Sequence, residues 1–322
     1  MSFASIVGQD RVKEMLKNAV NQNRLSHAYI FSGPPGTGRR KMALALAKAI
    51  FCENFTEDAC NQCVQCRRIE HGNHPGVFWL EPEGASVKIE QIRELQRQFS
   101  YRTFGTKKMY IIHQSEKMTV QAANSLLKFF EEPQGEVIAV LIVENAHALL
   151  STIRSRAQWI HFSPLPPSVL LQKLIEEGFP PALASPASHI AAGLDQAREY
   201  IQDPKFAEMR NIVIQLVKES FQSIPAVIAE QKKLFKSEWA DHLPLIMELL
   251  ALWYKDLIRI QVGRTSQLVY PDQEEWLSQN AFSRPLSFWV QRMEQALEMK
   301  KRLRLHVNAQ LALERFWVEQ GG

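Results

Sequence analysis

The stretch IFSGPPGTGRRKMALALAKAI, residues 30–50, has the order of a buried strand, a glycine-rich turn and the beginning of a helix. This order is the setting of a P-loop (Walker A motif), whose pattern is G-x-x-x-x-G-K-[ST] and whose backbone amides hold phosphate. Gly33 and Gly38 match the pattern, but Arg39 and Arg40 occupy the positions of the Lys and the Ser or Thr. The stretch therefore predicts the shape of a nucleotide-binding fold with altered chemistry.

The two arginines change what such a loop can bind. Arg39 carries the charge of the missing Lys on a bulkier, planar head, and Arg40 cannot ligate Mg²⁺ and would repel it. Lys41 lies two helical positions further on, about 200° around the helix, and is predicted to point away from the phosphates. Gly36 can still shape the turn, so we expect a degenerate, non-functional P-loop. An active ATPase in which Arg39 replaces the Lys remains the alternative.

The second nucleotide-binding element is also altered. The stretch KMYIIHQSEKM, residues 108–118, predicts the strand that ends in Asp-Glu in working ATPases, where the acids support Mg²⁺ and polarise water. His113 and Gln114 stand at those two positions, and Glu116 lies further on, where it would need a shift of register to help. Loss of the Lys, the hydroxyl and both acids together predicts that this chain does not hydrolyse ATP.

The first half of the chain alternates short apolar runs with helical patterns. Runs such as AYIFSG, GVFWLEP, KMYIIHQ and VIAVLIVEN are typical of strands buried on both faces. Such alternation predicts an α/β core with a parallel sheet between two helical layers. After the proline-rich FSPLPPSVL the strand-like runs end, so we predict an α/β core over 1–163, a small helical lid over 164–206 and an all-α collar over 207–322.

The four cysteines of the chain form one cluster with the spacing C-x7-C-x2-C-x2-C, and they are Cys52, Cys60, Cys63 and Cys66. Two overlapping C-x2-C steps allow thiolates to converge tetrahedrally, and four thiolates leave no open position for substrate. In a reducing compartment such a cluster indicates metal rather than disulfides. We therefore predict a structural Zn²⁺ site, to which the nearby His71 and His74 are surplus.

Composition limits the remaining possibilities. The chain has 322 residues, 46% of them hydrophobic and 22% charged, with a formal net charge of +4. This small excess permits contact with nucleic acid without indicating it. The amphipathic, charged start MSFASIVGQDRVKEML predicts no signal peptide, and no apolar run approaches the length of a membrane span. We expect a soluble, cytoplasmic protein without a membrane partner.

Five stretches of the chain resemble segments of the delta-prime subunit family of the bacterial DNA polymerase III clamp loader, within the AAA+ superfamily. The first three are VGQDRVKEMLKNAVNQNRLSHAYIFSGPPGTG (7–38), CNQCVQCRRIEHGNHPGVFWLEPEG (60–84) and NSLLKFFEEP (124–133). The other two are STIRSRA (151–157) and VNAQLALER (307–315). The resemblance implies a subunit that does not itself hydrolyse ATP.

The resemblance also implies the partners. Clamp loaders are rings of five subunits held by a helical collar, with ATP at the subunit interfaces. The partners would be gamma/tau-type ATPase subunits and a delta-type subunit, with primed DNA inside the ring and an indirect connection to the sliding clamp. The basic loop 102–108 and the helix beginning near Lys88 are candidate contacts for DNA phosphates. A free-standing zinc-dependent nucleic-acid binder is a third reading.

The STIRSRA segment matches the family's Ser-Arg-Cys motif at Ser155 and Arg156, with Ala157 in place of the Cys. The family uses this Arg as a finger in the neighbouring subunit's ATP site, and the resemblance gives that role to Arg156. Arg154 is a weaker candidate. In the lid, Gln196 stands where the family's sensor Arg is expected, with Arg198 close by.

Overall fold

The computed structural model describes residues 1–101, 107–131, 136–221 and 237–303, together with Phe316. The chain separates into two compact units, Met1–Leu165 and Pro166–Gly322. Most of the basic loop 102–108, the end of the NSLLKFFEEP stretch and the whole of VNAQLALER lie outside the described residues. Predictions that depend on those stretches remain predictions.

The first unit is built on a five-stranded sheet in which every described strand pair is parallel. The strands are β1 (Ala28–Ser32), β2 (Val77–Leu80), β3 (Lys107–His113), β4 (Glu136–Val143) and β5 (Gln158–His161), and their order across the sheet is β2-β3-β4-β1-β5. The parallel α/β core predicted from the alternation of strands and helices is confirmed.

Six helices cover the two faces of this sheet. They are α1 (Asp10–Asn21), α2 (Arg39–Phe51), α3 (Val64–Glu70), α4 (Ile89–Tyr101), α5 (Val120–Glu131) and α6 (Ser151–Arg154). Successive side chains of a strand point to opposite faces, so the neighbours Ile30 and Phe31 of β1 belong to different apolar clusters. Phe31 packs in the cluster that contains Met42 of α2, and Ile30 in the cluster that contains Leu126 of α5. The helices α1–α3 line the first cluster and α4–α6 the second, which gives three layers.

Parallel strands bring their carboxyl ends to the same edge of a sheet. The turn after β1, His113 at the end of β3 and Val143 at the end of β4 therefore meet there. Ligands of open parallel sheets bind in the crevice outside these strand ends. The predicted P-loop follows the end of β1, and the positions of the two acids stand at the end of β3 and directly after it.

The second unit is helical throughout its described part. Its helices are α7 (Pro167–Glu176), α8 (Pro181–Ile190), α9 (Leu194–Gln202), α10 (Pro204–Ser220), α11 (Leu243–Gln261), α12 (Glu274–Asn280) and α13 (Leu286–Leu303). Prolines begin α7, α8 and α10, where the missing N–H has no intrahelical partner to lose. Helix α10 runs through position 206, where the lid was predicted to end, and the division into lid and collar remains a prediction.

Across the described ranges, no helix combines the length and apolar character needed to cross a bilayer.

Candidate functional site: a P-loop, an exposed arginine and a cysteine cluster

The backbone of the P-loop keeps the form that its glycines predict. Gly33 has φ 151°, and a Cβ at this position would lie 2.3 Å from the carbonyl oxygen of Phe162, so only glycine allows this approach to the end of β5. Gly36 and Gly38 have φ 84° and 87°, in the left-handed region. The Thr37 hydroxyl donates to the Pro34 carbonyl at 2.8 Å and closes the turn.

The side chain of Arg39 turns into the protein. It is only 8% exposed, and its Nη1 donates to the carbonyl oxygen of Val143, the last residue of β4. Burial lowers the pKa of the Arg39 guanidinium, and the carboxylates of Glu144 and Glu116 oppose that shift. Arg39, which stands at the position of the P-loop Lys, is therefore bound to the end of β4.

Arg40 is held at a different place. Its guanidinium forms an ion pair with Glu81 at 3.0 Å and lies 4.6 Å from the centre of the Trp79 ring, in a cation–π contact. Both partners belong to the end of β2 and the residue that follows it. The position that should supply a hydroxyl for Mg²⁺ instead fastens the beginning of α2 to the sheet.

The end of β3 carries no carboxylate at the positions of the two acids. Burial lowers the pKa of His113, which keeps its imidazole neutral at pH 7. Gln114 has φ 52° and begins a short turn that contains Glu116. One carboxylate oxygen of Glu116 accepts from the Glu144 amide at 3.2 Å, and the other is buried with no hydrogen-bond partner among the described residues.

Glu116 is the residue whose place the sequence did not reveal. The chain bends sharply at Gln114, and this bend turns Glu116 toward the end of β4, where the Arg39 guanidinium also lies. The apolar pattern of β3 does not reveal that the backbone of Gln114 adopts a left-handed conformation. The structure thus brings Arg39, Glu116 and Val143 together, and it places His113 and Gln114 at the strand end where the sequence analysis expected them.

The predicted finger, Arg156, is exposed at the surface of the first unit. It follows α6, and its Nη1 donates to the Thr152 carbonyl at 3.2 Å and contacts the Ser155 hydroxyl at 3.4 Å. Arg154 is half-buried and contacts His147 through its Nη1 at 2.9 Å. Of the two arginines of STIRSRA, Arg156 is thus the more exposed to solvent, and Arg154 is partly covered by its own chain.

The lid residues are engaged within the second unit. The Gln196 side-chain oxygen accepts from the Ala192 amide at 3.0 Å. Arg198 binds both carboxylate oxygens of Glu177, at 2.8 and 2.5 Å, and Asp195 at 3.1 Å. A bidentate Arg–carboxylate pair is among the stronger surface contacts, so Arg198 is committed to its own unit.

The four cysteines predicted as ligands converge. The Sγ atoms of Cys52, Cys60, Cys63 and Cys66 all lie within 4.8 Å of one another. Backbone amides of Gln62 and Cys63 donate to the Cys60 sulfur and lower the pKa of that thiol to about 6, whereas burial raises the pKa of Cys66. Thiolates at this spacing can close around one tetrahedral metal ion. The Nδ1 of His74 accepts from the Gly76 amide at 3.1 Å instead.

The cysteine loop is fastened to the rest of the first unit by polar contacts that the sequence analysis missed. Lys48 of α2 is only 1% exposed, and it binds Glu70 at the end of α3 and the Asn61 side chain within the loop. The carboxylate of Asp58 accepts from the amides of Phe3 and Ala4 at 3.2 and 2.8 Å. A Lys within the apolar pattern of α2 was the signal available for the first of these contacts.

Three comparisons relate the chain to known proteins. The family model described as DNA polymerase III, delta subunit matches residues 8–166. The DNA polymerase III subunit delta' of Bacillus subtilis (strain 168) is 38% identical over 310 residues, which are 95% of this chain and 94% of that protein. Subunit tau of the same strain is 33% identical over 198 residues, which are 58% of this chain and 35% of that protein.

Among solved structures, a DNA polymerase III gamma subunit-related protein of Thermotoga maritima matches with a TM-score of 0.45 and 19% identity. The match covers 96% of this chain and 98% of that one.

The burial of Arg39 predicts its effect on stability. We expect Arg39→Met to lower the free energy of unfolding by about 1–3 kcal/mol, because a charged donor to the Val143 carbonyl is lost inside the protein. Arg40→Met is the matched control, since Arg40 is more than half exposed and its ion pair is worth no more than about 1 kcal/mol. Chemical denaturation measures both, and equal losses would contradict the assignment of Arg39 as the buried partner.

Proposed function

Because this chain belongs to the family of DNA polymerase III delta' subunits, we propose that it is a non-hydrolysing subunit of a clamp-loader ring. In that ring it donates Arg156 to the ATP site of a neighbouring ATPase subunit. The observation that carries the proposal is the buried Arg39 guanidinium, which is bound to the Val143 carbonyl where a P-loop Lys would extend toward phosphate.

The charges around the P-loop are unsuited to hydrolysis. A triphosphate needs a cation at its β and γ phosphates and a Mg²⁺ ion held by a hydroxyl and an acid. In this chain the cation binds a strand end, the hydroxyl position binds Glu81, and a neutral His113 and Gln114 replace the acids. The glycine turn keeps its amides, but the side chains at the positions of the Lys, the hydroxyl and the two acids do not supply the charges that a hydrolytic transition state requires.

Arg156 has the chemistry and the exposure that an arginine finger needs. Charge develops on the γ-phosphoryl oxygens during transfer, and a guanidinium supplied from another subunit stabilises it by roughly 10³–10⁵ in rate. Such a residue must be exposed on its own chain, as Arg156 is. Arg156 also contacts its own chain at the Thr152 carbonyl, but its side chain remains at the surface, which supports a trans role.

The partners follow from the family. We propose a heteropentamer with gamma/tau-type ATPase subunits and a delta-type subunit, in which residues 207–322 form the collar. Primed DNA would lie inside the ring, and the sliding clamp would be contacted through other subunits. The similarity to a tau subunit over 58% of this chain supports a ring of related subunits.

We propose that the cysteine cluster holds one structural Zn²⁺. Four thiolates complete a tetrahedral shell and leave no position for a catalytic water. The ion would fix the loop that presents Asn61 to the buried Lys48, and so would support α2 from its far end. The metal's role is therefore architectural.

One observation favours a second candidate, an active ATPase with an atypical P-loop. The buried Glu116 oxygen without a described partner lies near Arg39, and it is an acid in the region where a metal ligand is required. In this reading Arg39 would have to leave the Val143 carbonyl and take the role of the Lys.

Titration of the isolated chain with ATP and Mg²⁺ separates these candidates. We expect no turnover, because the chain lacks the groups that stabilise the transition state. Calorimetry and phosphate release provide the measurement, with Glu116→Gln as the matched variant. Turnover that disappears in Glu116→Gln would support the ATPase candidate and defeat the proposal.

The finger role is tested in a reconstituted ring whose other ATPase sites have been inactivated, so that turnover reports only the site facing this chain. We expect Arg156→Ala to lower DNA-stimulated turnover by roughly 10³ or more, and Arg156→Lys to lie between, because Lys has the charge without the planar fork. Lys173→Ala, another exposed cation, is the control. Undiminished turnover in an assembled Arg156→Ala ring would refute the role.

Elemental analysis tests the metal. We expect about one zinc per chain, as a single four-Cys site requires, and its loss in Cys66→Ser. His71→Ala is the control and should retain the metal, because His71 is surplus to the four thiolates. A metal-free wild-type chain of undiminished stability would end the zinc proposal.

A further inference from the structure

The helix that precedes Arg156 is too short to hold its own orientation. Helix α6 has four residues, and the terminal carbonyls of any helix lack intrahelical donors. Ile153 anchors it from below, since this side chain is fully buried in the apolar cluster under α4 and α5. Leu150 and Ala157, which flank α6, also pack against this cluster, and the polar contacts at the end of the helix add to these apolar ones in fixing its orientation.

Trp159 on β5 supplies such a contact. Its indole Nε1 donates to the Arg154 carbonyl at 3.1 Å, which satisfies the last carbonyl of α6. The residue is 43% exposed, although Trp residues are highly buried on average. The bond joins the end of α6 directly to the edge strand that follows it.

The side chain of Arg154 also contacts Trp159 and connects it to His147. Its guanidinium lies 5.9 Å from the centre of the Trp159 ring, and its Nη1 is 2.9 Å from Nδ1 of His147. A guanidinium has no acceptor, so in this hydrogen bond the Arg154 Nη1 donates and Nδ1 of His147 accepts. The His147 ring meets the Trp159 ring edge-on at 5.7 Å.

The same geometry directs Arg154 inward. Its Nε is buried, so the inner edge of the guanidinium faces its own chain. Arg156, two residues on, is exposed and contacts the Thr152 carbonyl and the Ser155 hydroxyl, which belong to α6 and the residue after it. These two contacts tie the direction of Arg156 to the orientation of α6.

We infer that Trp159, with Arg154 and His147, is a positioning residue for the finger: it fixes the rotation of α6 and thereby the direction in which Arg156 leaves the surface. This inference rests on the proposed role of Arg156. A misplacement of about 1 Å in a reacting group can cost roughly 10² in rate, so loss of the clamp lowers turnover without removing the finger.

The test uses full-length variants in the reconstituted ring with a single active ATPase site. We expect Trp159→Ala to lower kcat by roughly 10–100-fold while KM for ATP stays unchanged, because the neighbour's nucleotide pocket is intact. Trp159→Phe keeps an aromatic ring but loses the N–H donor and the larger indole, so kcat should fall at least about threefold to tenfold, the worth of the lost hydrogen bond. Phe282→Ala, another exposed aromatic change, is the control.

A double variant distinguishes positioning from a general structural role. If Trp159 acts only through Arg156, Trp159→Ala combined with Arg156→Ala should be no slower than Arg156→Ala alone. Additive losses, or an unchanged kcat in Trp159→Ala when Arg156→Ala is slow, would overturn the inference and leave the finger role standing. An assembled Arg156→Ala ring of normal turnover would instead defeat the proposed function itself.

Discussion

The carbonyl oxygen of Val143 accepts from two parts of the P-loop, the Gly33 amide at 3.3 Å and the Arg39 guanidinium. The first bond joins the turn to the end of β4, and the second inserts a cation behind it. A buried charge is costly unless it is hydrogen-bonded and balanced, and the Glu116 and Glu144 carboxylates provide that balance. The Val143 carbonyl and the two carboxylates thus hold the loop and the Arg39 side chain in place within the first unit.

Four arginines near the strand ends and α6 differ in burial and in the groups that they contact. Arg39 and Arg154 face inward and bind groups of their own chain, and Arg40 stacks on Trp79 at the sheet edge. Arg156 is exposed and follows the short helix α6. The planar guanidinium of an arginine can donate either to a carbonyl of its own chain or to a phosphoryl group bound by a neighbouring subunit. Whether an arginine binds within this chain or takes the proposed trans role therefore depends on the direction of its side chain.

The cysteine loop and the P-loop lie at opposite ends of α2, and contacts connect both to that helix. Lys48 binds Asn61 and Glu70 near one end, and Arg39 binds Val143 at the other. A helix of 13 residues fastened at both ends has little freedom to shift against the sheet. This arrangement suits a subunit that presents a fixed surface to its neighbours.

The sequence by itself determined the parallel α/β core, the altered P-loop and the cysteine cluster. Strand and helix periods, motif positions and ligand spacing are local properties, and each can be read within a few turns of chain. Only the tertiary structure decided that Arg39 points inward, that Glu116 reaches the end of β4 and that Arg154 faces His147 while Arg156 does not. The physical reason is that the first two contacts join residues far apart in the sequence, and the third depends on the rotation of a short helix, so no local pattern records them.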